Sequence, residues 1–106
     1  MARKTIYIAG PMAGRPKNNF RAFMDAETRL LNAGWWPINP ARFDYVFGNN
    51  LTDKLLDAVC ESERAAIPNL DAIYLLKDWE MSKGAKRELA VALQHNLEVF
   101  VEKEGM

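Results

Sequence analysis

The chain has 106 residues, 49% hydrophobic and 26% charged, which suits one domain with a core and is too short for two. Its basic and acidic residues cancel to a net charge of zero, leaving no electrostatic footprint for a long nucleic acid or an anionic membrane. No apolar run approaches the roughly 20 residues that span a bilayer. The one cysteine, Cys60, excludes an intrachain disulfide and suits a reducing compartment. We therefore expect a single cytoplasmic domain over residues 1–106.

The first half of the chain alternates strand and helix patterns. Residues 5–10 (TIYIAG) are rich in strand formers and stop at Gly-Pro, which predicts a strand and then a loop over 11–19. Residues 35–41 (WWPINPA) predict a short second strand. Between them a helix is predicted to end at Gly34, because apolar residues recur at helical spacing: Phe20, Phe23, Ala26, Leu30 and Leu31.

The second half repeats this alternation. An irregular aromatic segment precedes a helix that Pro68 ends, and the apolar run DAIYLL is typical of a strand covered on both faces. A loop, a helix capped by Ser82 and a last strand complete the chain. After the second strand we predict an irregular segment over 42–50, a helix over 51–67, a strand over 71–76 and a loop over 77–81. A helix that starts at Ser82 and a strand over 97–101 follow.

The order β-α-β-α-β-α-β predicts a parallel sheet of about four strands, doubly wound, with helices on both faces. In such sheets ligands bind beyond the carboxyl ends of the strands, at the switch point of the strand order. The loops at those ends follow the first, second and third strands. Two of these loops lead into helix N-termini, where free amides favour an anion.

Glu88 is unusual within its predicted helix. Wound at about 3.6 residues per turn, Lys83, Lys86 and Gln94 share one side of the helix, which marks the solvated face. Glu88 lies on the other side, among small and apolar residues. A buried carboxylate is costly, so it is usually functional, although a glutamate at the rim of an apolar strip can simply keep its head in water.

The loop after the first strand, GPMAGRPKNN, has two interpretations. Gly10, Gly14 and Arg15 suit contact with a phosphate, because glycine lets the backbone approach and a guanidinium matches phosphate oxygens. Glycine and proline also cluster in any tight turn between a strand and a helix, so the spacing alone does not decide between phosphate contact and turn formation.

Three segments carry a resemblance to a known family: YIAGPMAGRPKNN, the NPA after the second strand, and DAIYLLKDWEMSKGAKRELAVA. They look like small, often phage-encoded domains similar to the nucleoside 2-deoxyribosyltransferases and to the 2′-deoxynucleoside 5′-monophosphate N-glycosidases. The similarity runs from about residue 6 to residue 101. It implies a flavodoxin-like sheet, a homo-oligomer of two or more copies, and a small nucleoside or nucleotide as ligand.

The resemblance also implies roles for individual residues. Glu88 would be the nucleophile that attacks C1′ of the sugar and holds it as a glycosyl ester. Tyr7 would orient that glutamate, or serve only as a core aromatic residue. Trp79 could stack on a base, or cover the core. The substrate-binding residues implied are Gly10, Pro11, Met12, Gly14, Arg15, Asn19, Asn39, Asp71, Trp79, Ser82 and Gly84.

Three departures from the family pattern concern activity. Active relatives often place an aspartate about eight residues before the strand-opening Asp71, where this chain has Glu63, a longer carboxylate that would protonate the leaving base. Hydrolase relatives carry Ser and Arg where this chain has Pro11 and Ala13, which weakens a claim on a 5′-phosphate. Many relatives complete the site with a neighbouring subunit's residue beyond the last strand, and this sequence stops at Met106.

Three classes of function remain open. The first is an enzyme that cleaves or transfers the N-glycosidic bond of a (deoxy)nucleoside or its 5′-monophosphate, which Glu88 favours. The second is a catalytically weak module that binds or sequesters a nucleotide, which the departures favour. The third is a structural or interaction domain, which rests only on the aromatic segment around Phe43 to Phe47. We expect no cofactor and no metal site, because no His, Cys and Asp cluster has ligand spacing.

Overall fold

A computed structural model describes residues 3–12, 14–42 and 65–102 as one layered α/β arrangement. Short 3-10 helices lie in the connections at Pro16–Asn19, Ile67–Asn69 and Trp79–Met81. The strands are β1 (Thr5–Ala9), β2 (Trp36–Ile38), β3 (Ala72–Leu75) and β4 (Glu98–Val101), and the described helices are α1 (Phe20–Asn32) and α2 (Lys83–Gln94).

The four strands form one parallel sheet in the order β2-β1-β3-β4. The chain moves outward from β1 to β2, then returns past β1 to β3 and continues to β4. The order therefore reverses between β1 and β3, which is the switch point of a doubly wound sheet. The predicted fold class is confirmed, and the arrangement is consistent with a flavodoxin-like fold.

The side chains of β1 alternate between two separate hydrophobic cores, as the period of a strand requires. Ile6 and Ile8 pack towards α1, in a cluster with Phe23 and Leu30. Tyr7 and Ala9 point to the opposite face and belong to the cluster that contains residues of α2. The strand is buried on both sides, so its sequence is apolar throughout rather than alternating.

Helix α1 ends as its sequence predicts. Gly34 has φ +94°, the amide of Gly34 donates to the carbonyl of Leu31, and the amide of Trp35 donates to that of Leu30. This pair of bonds is a Schellman motif, which a residue with a side chain would strain. The inner face differs from the prediction in one position: Leu31 is exposed, and Glu27 is the buried residue beside Phe23, Ala26 and Leu30.

Helix α2 also follows its sequence pattern. The hydroxyl of Ser82 accepts from the amide of Ala85 at 3.1 Å, which confirms the predicted N-cap. Lys83, Lys86 and Gln94 are exposed, and Glu88 is buried.

The remaining predictions concern edges and segments outside the described residues. Strand β2 is shorter than predicted, because the chain turns at Asn39-Pro40. Strand β4 forms an edge of the sheet, and its apolar residues Val99, Phe100 and Val101 stay partly exposed. Glu63, Cys60, most of the predicted helix over 51–67 and the aromatic residues 43, 45 and 47 fall outside the described part of the chain. Among the described residues, neither helix combines the length and apolarity needed to cross a bilayer.

Candidate active site

A buried tyrosine and a buried glutamate meet between the sheet and α2. The hydroxyl of Tyr7 donates to Oε2 of Glu88 at 2.5 Å, across 81 residues of sequence. Tyr7 is 1% exposed and Glu88 is 7% exposed. A distance of this length is typical of a hydroxyl bound to an ionised carboxylate, in which the charge strengthens the bond.

The position of Glu88 follows from the packing of α2 on the sheet. Ala85 and Ala92, three residues before Glu88 and four residues after it, are almost fully buried and face the same core cluster as Tyr7. Their small side chains bring the helix close to β1, so the glutamate reaches the middle of the sheet. The hydrogen bond from Tyr7 offsets part of the cost of removing the carboxylate from water.

The first turn of α2 brings two other predicted residues to the same end of the sheet. Ser82 is half-buried and uses its hydroxyl oxygen as the helix cap. Gly84 has an ordinary helical backbone, and a Cβ there would meet only Ser82 Oγ, at 3.8 Å. The fold therefore does not require glycine at position 84, although glycine is less favourable than alanine in a helix.

Several residues of the loop after β1 contact other parts of the protein. A Cβ on Gly10 would lie 2.8 Å from Cβ of Leu76, so this glycine allows the chains that follow β1 and β3 to approach closely. The side-chain amide of Asn19 donates to the carbonyl of buried Pro11 at 2.9 Å, and Met12 packs against the α1 core. These four predicted binding residues thus have structural roles as well.

The tip of this loop faces the loop after β3. Arg15 closes a turn by donating its amide to the carbonyl of Met12, and Gly14 within that turn has φ +79°. The guanidinium of Arg15 reaches Oδ2 of Asp78 at 3.2 Å, joining the two loops on either side of the switch point. Asp78 itself has a left-handed backbone, with φ +67°.

Trp79 starts the short 3-10 helix before α2 and is partly buried. It packs against the core cluster that contains Tyr7, Ile73 and Ala85. This contact supports the alternative that Trp79 covers the core. It also places the indole next to the wall that holds the tyrosine–glutamate pair.

Two predicted substrate-binding residues are not brought to the pair. Asn39 is buried at the end of β2, where it donates to the carbonyl of Phe23 and accepts from the amide of Ala41, so it fastens β2 to α1. Asp71 lies at the amino ends of the strands, the edge opposite to the loops. There its carboxylate accepts from the amide of Thr5 at 2.7 Å and from the Thr5 hydroxyl at 3.0 Å, and these bonds lower the pKa of Asp71.

The structure also contains interactions that the sequence pattern did not indicate. Arg42 donates through Nε and a terminal nitrogen to both carboxylate oxygens of buried Glu27, at 2.7 and 2.5 Å. The partnership of Asp78 with Arg15 was likewise not evident, because strand order, not spacing, brings the two loops together. Over residues 3–12, 14–42 and 65–102, no group of three or more His, Cys, Asp or Glu side chains is arranged to hold a metal ion.

Comparison with known proteins gives a family but no activity. A family model described as a domain of unknown function, DUF4406, matches residues 4–101. Among curated proteins, no significant match was found.

Proposed function

We propose that this protein, which belongs to the DUF4406 family, breaks or transfers the N-glycosidic bond of a (deoxy)nucleoside or nucleoside 5′-monophosphate through Glu88. The observation that carries the proposal is the buried hydrogen bond between Tyr7 and Glu88, next to the switch point of the sheet. The resemblance of the first-loop and α2 segments to nucleoside 2-deoxyribosyltransferases supports it further.

The proposed reaction has two steps at C1′ of the sugar. In the first, a carboxylate oxygen of Glu88 forms a bond to C1′, the C1′–N bond breaks, and its electron pair leaves with the base. A carboxylic acid protonates that base, a role we assign to Glu63. In the second step, water or another base attacks C1′ and the bond from C1′ to Glu88 breaks, which restores the carboxylate. The proton of the attacking water or base passes to Glu63, and the two inversions give net retention.

Tyr7 acts in this scheme as a positioning residue. A carboxylate nucleophile must be held in one orientation near the anomeric carbon, because small displacements of a reacting atom are costly in rate. The phenol hydroxyl fixes the carboxylate from the core side. The apolar residues around the pair limit the access of water, which keeps the carboxylate from being fully solvated.

The decisive experiment is a turnover assay over a panel of deoxynucleosides, ribonucleosides and their 5′-monophosphates, with and without a second free base. We expect wild-type protein to release or exchange base, and Glu88→Gln to lose that activity. Glu27→Gln is a matched control, since Glu27 is an equally buried helical carboxylate on the other face of the sheet. Turnover that survives in Glu88→Gln, or is lost equally in a folded Glu27→Gln, would contradict the proposal.

A second candidate is a module that binds or sequesters a nucleotide without turnover. The observation in its favour is the first loop, in which Pro11 and Ala13 stand where hydrolase relatives carry Ser and Arg, a departure that lowers activity more than binding. Binding of a nucleotide by titration, with no turnover of any panel member, would favour this function over the enzyme. The homo-oligomer, the phage association and the cytoplasmic location stay predictions.

A further inference from the structure

The ion pair between Arg15 and Asp78 lies at the carboxyl end of the sheet, the end at which α2 begins. It connects residues 63 positions apart in sequence, on the loops that follow the two central strands. Both side chains are only about one-third exposed, at 34% and 39%. The pair therefore lies partly between the loops rather than in bulk solvent.

The backbone of both loops restrains this pair. Asp78 has a left-handed backbone and accepts, through its carbonyl, the amide of Met81 at 3.0 Å. The turn from Met12 to Arg15 is closed by a hydrogen bond of 3.2 Å. Because Arg15 and Asp78 both extend from turns closed by hydrogen bonds, the guanidinium and the carboxylate lose little conformational entropy when they pair.

The side-chain charges of these two loops do not favour an added anion, in contrast to the free amides at the start of α2. Arg15 is already compensated by Asp78, and the proposed nucleophile Glu88 is a further carboxylate of the same site. Lys17 and Lys77, in the connections, and Lys83, the first residue of α2, are exposed, so solvent and salt screen their attraction. A phosphate that reached Arg15 would have to displace Asp78 or stay beside it, and like charges at close range repel.

We propose that the Arg15–Asp78 pair determines substrate specificity, by making the site select uncharged nucleosides over nucleoside 5′-monophosphates. This inference rests on the proposed function, because it assigns the substrate class of the same site. A sugar with a free 5′-hydroxyl meets a neutral pair and leaves it intact. A monophosphate meets a guanidinium whose charge is already engaged, together with the carboxylate that engages it.

The test measures the preference for a nucleoside over its 5′-monophosphate in wild type, Asp78→Asn and the double variant Asp78→Asn/Arg15→Gln. The preference is the ratio of kcat/KM values, or of Kd values from titration if no turnover occurs. Asparagine tolerates the left-handed backbone at position 78, so the single variant keeps the loop conformation. Asp25→Asn is the matched control, since Asp25 pairs with Arg21 within α1, on its exposed side, rather than between the two loops.

We expect wild type to prefer the nucleoside, and Asp78→Asn to reduce that preference about tenfold, the equivalent of about 1.4 kcal/mol. The change should come from a higher kcat/KM, or a lower Kd, for the monophosphate. The double variant, which lacks the guanidinium, should not show this gain, and neither should Asp25→Asn. A wild-type preference for the monophosphate, an unchanged ratio in Asp78→Asn, or an equal loss for both ligands would overturn the inference.

The outcomes separate this inference from the proposed function. Nucleoside turnover that depends on Glu88, with no change of preference in Asp78→Asn, would overturn the specificity role alone. Failure of wild type to bind or convert any nucleoside or monophosphate would overturn both.

Discussion

At the scale of single residues, Glu27 and Glu88 are helical carboxylates that are buried within the described part of the chain. Glu27 receives two hydrogen bonds from the guanidinium of Arg42, an arrangement in which a full opposite charge compensates the carboxylate. Glu88 accepts from the phenol of Tyr7, which holds the carboxylate in one orientation against the core. This oriented carboxylate, together with the resemblance of its segment to the nucleoside 2-deoxyribosyltransferases, is why we assign the chemistry to Glu88.

Tyr7→Phe tests the positioning of Glu88, because it removes the hydroxyl and keeps the ring packed in the core. We expect kcat to fall by about 10²-fold, within the range for loss of one group that aligns a reacting atom, while KM changes little. Losing the buried bond should also lower the free energy of unfolding by about 1–3 kcal/mol. Steady-state kinetics and urea unfolding measure the two effects, and an unchanged kcat in the folded variant would contradict the assignment.

Gly84→Ala tests whether glycine at the start of α2 serves a ligand. Alanine fits the space seen in the structure, and it is favoured over glycine in a helix by up to about 1 kcal/mol, so stability should rise or stay constant. We expect KM or Kd for the nucleoside to rise, because the added methyl group occupies space open to a substrate. Thermal unfolding and titration separate the two effects, and unaltered binding would mean that Gly84 leaves no space that the ligand uses.

At the scale of elements, each loop between a strand and a helix combines a structural task with a candidate binding task. Gly10 allows β1 to pass close to Leu76, while the same loop carries Arg15 to its partner across the switch point. Ser82 caps α2, and Gly84 beside it leaves open space in the first turn of the helix that holds Glu88. A substitution in these loops must therefore be measured for stability and for binding separately.

Ser82→Ala removes the side chain that caps α2. We expect it to lower the free energy of unfolding by about 1 kcal/mol, because the amide of Ala85 loses its acceptor. Ser82→Gly should cost only a few tenths of that, about 0.3 kcal/mol, since glycine is a tolerated cap. Chemical unfolding of the three proteins checks this order, and equal stability of Ser82→Ala and wild type would show that the cap contributes little.

At the scale of the whole molecule, the two edges of the parallel sheet have different tasks. The carboxyl ends of β1 and β3 carry the loops that Arg15 and Asp78 join, and α2, which holds Glu88, begins at the same end of the sheet. At the amino ends, the carboxylate of Asp71 accepts from the amide and the hydroxyl of Thr5 and so links the start of β3 to the start of β1. Polar residues at the amino edge thus stabilise the two central strands, away from the candidate site.

Asp71→Asn tests how far the hydrogen bonds between Asp71 and Thr5 make the stability of the protein depend on pH. The hydrogen bonds from Thr5 lower the pKa of Asp71 below its usual value of 3.8, so the folded state favours the carboxylate. The stability that it contributes is complete above pH 3.8 and is lost as the pH falls through the lowered pKa. We expect wild type to lose stability over that interval more steeply than Asp71→Asn. Urea unfolding at a series of pH values checks this, and parallel curves would contradict it.

The sequence by itself determined the features that depend on neighbouring residues. The strand β1, the stop of α1 at Gly34, the cap at Ser82 and the inward side of Glu88 all follow from local spacing and from the preferences of single residue types. The alternation of strands and helices was also enough to predict a doubly wound parallel sheet.

Only the tertiary structure decided which distant residues meet. Strand order places Tyr7 against Glu88, Arg15 against Asp78 and Gly10 against Leu76, and it moves Asp71 to the opposite edge of the sheet. Local sequence does not encode these contacts, because they depend on the order in which strands pair and on the faces that helices cover. The residue types of the site could therefore be predicted from sequence, and the resemblance implied the pairing of Tyr7 with Glu88, whereas the other partners required the fold.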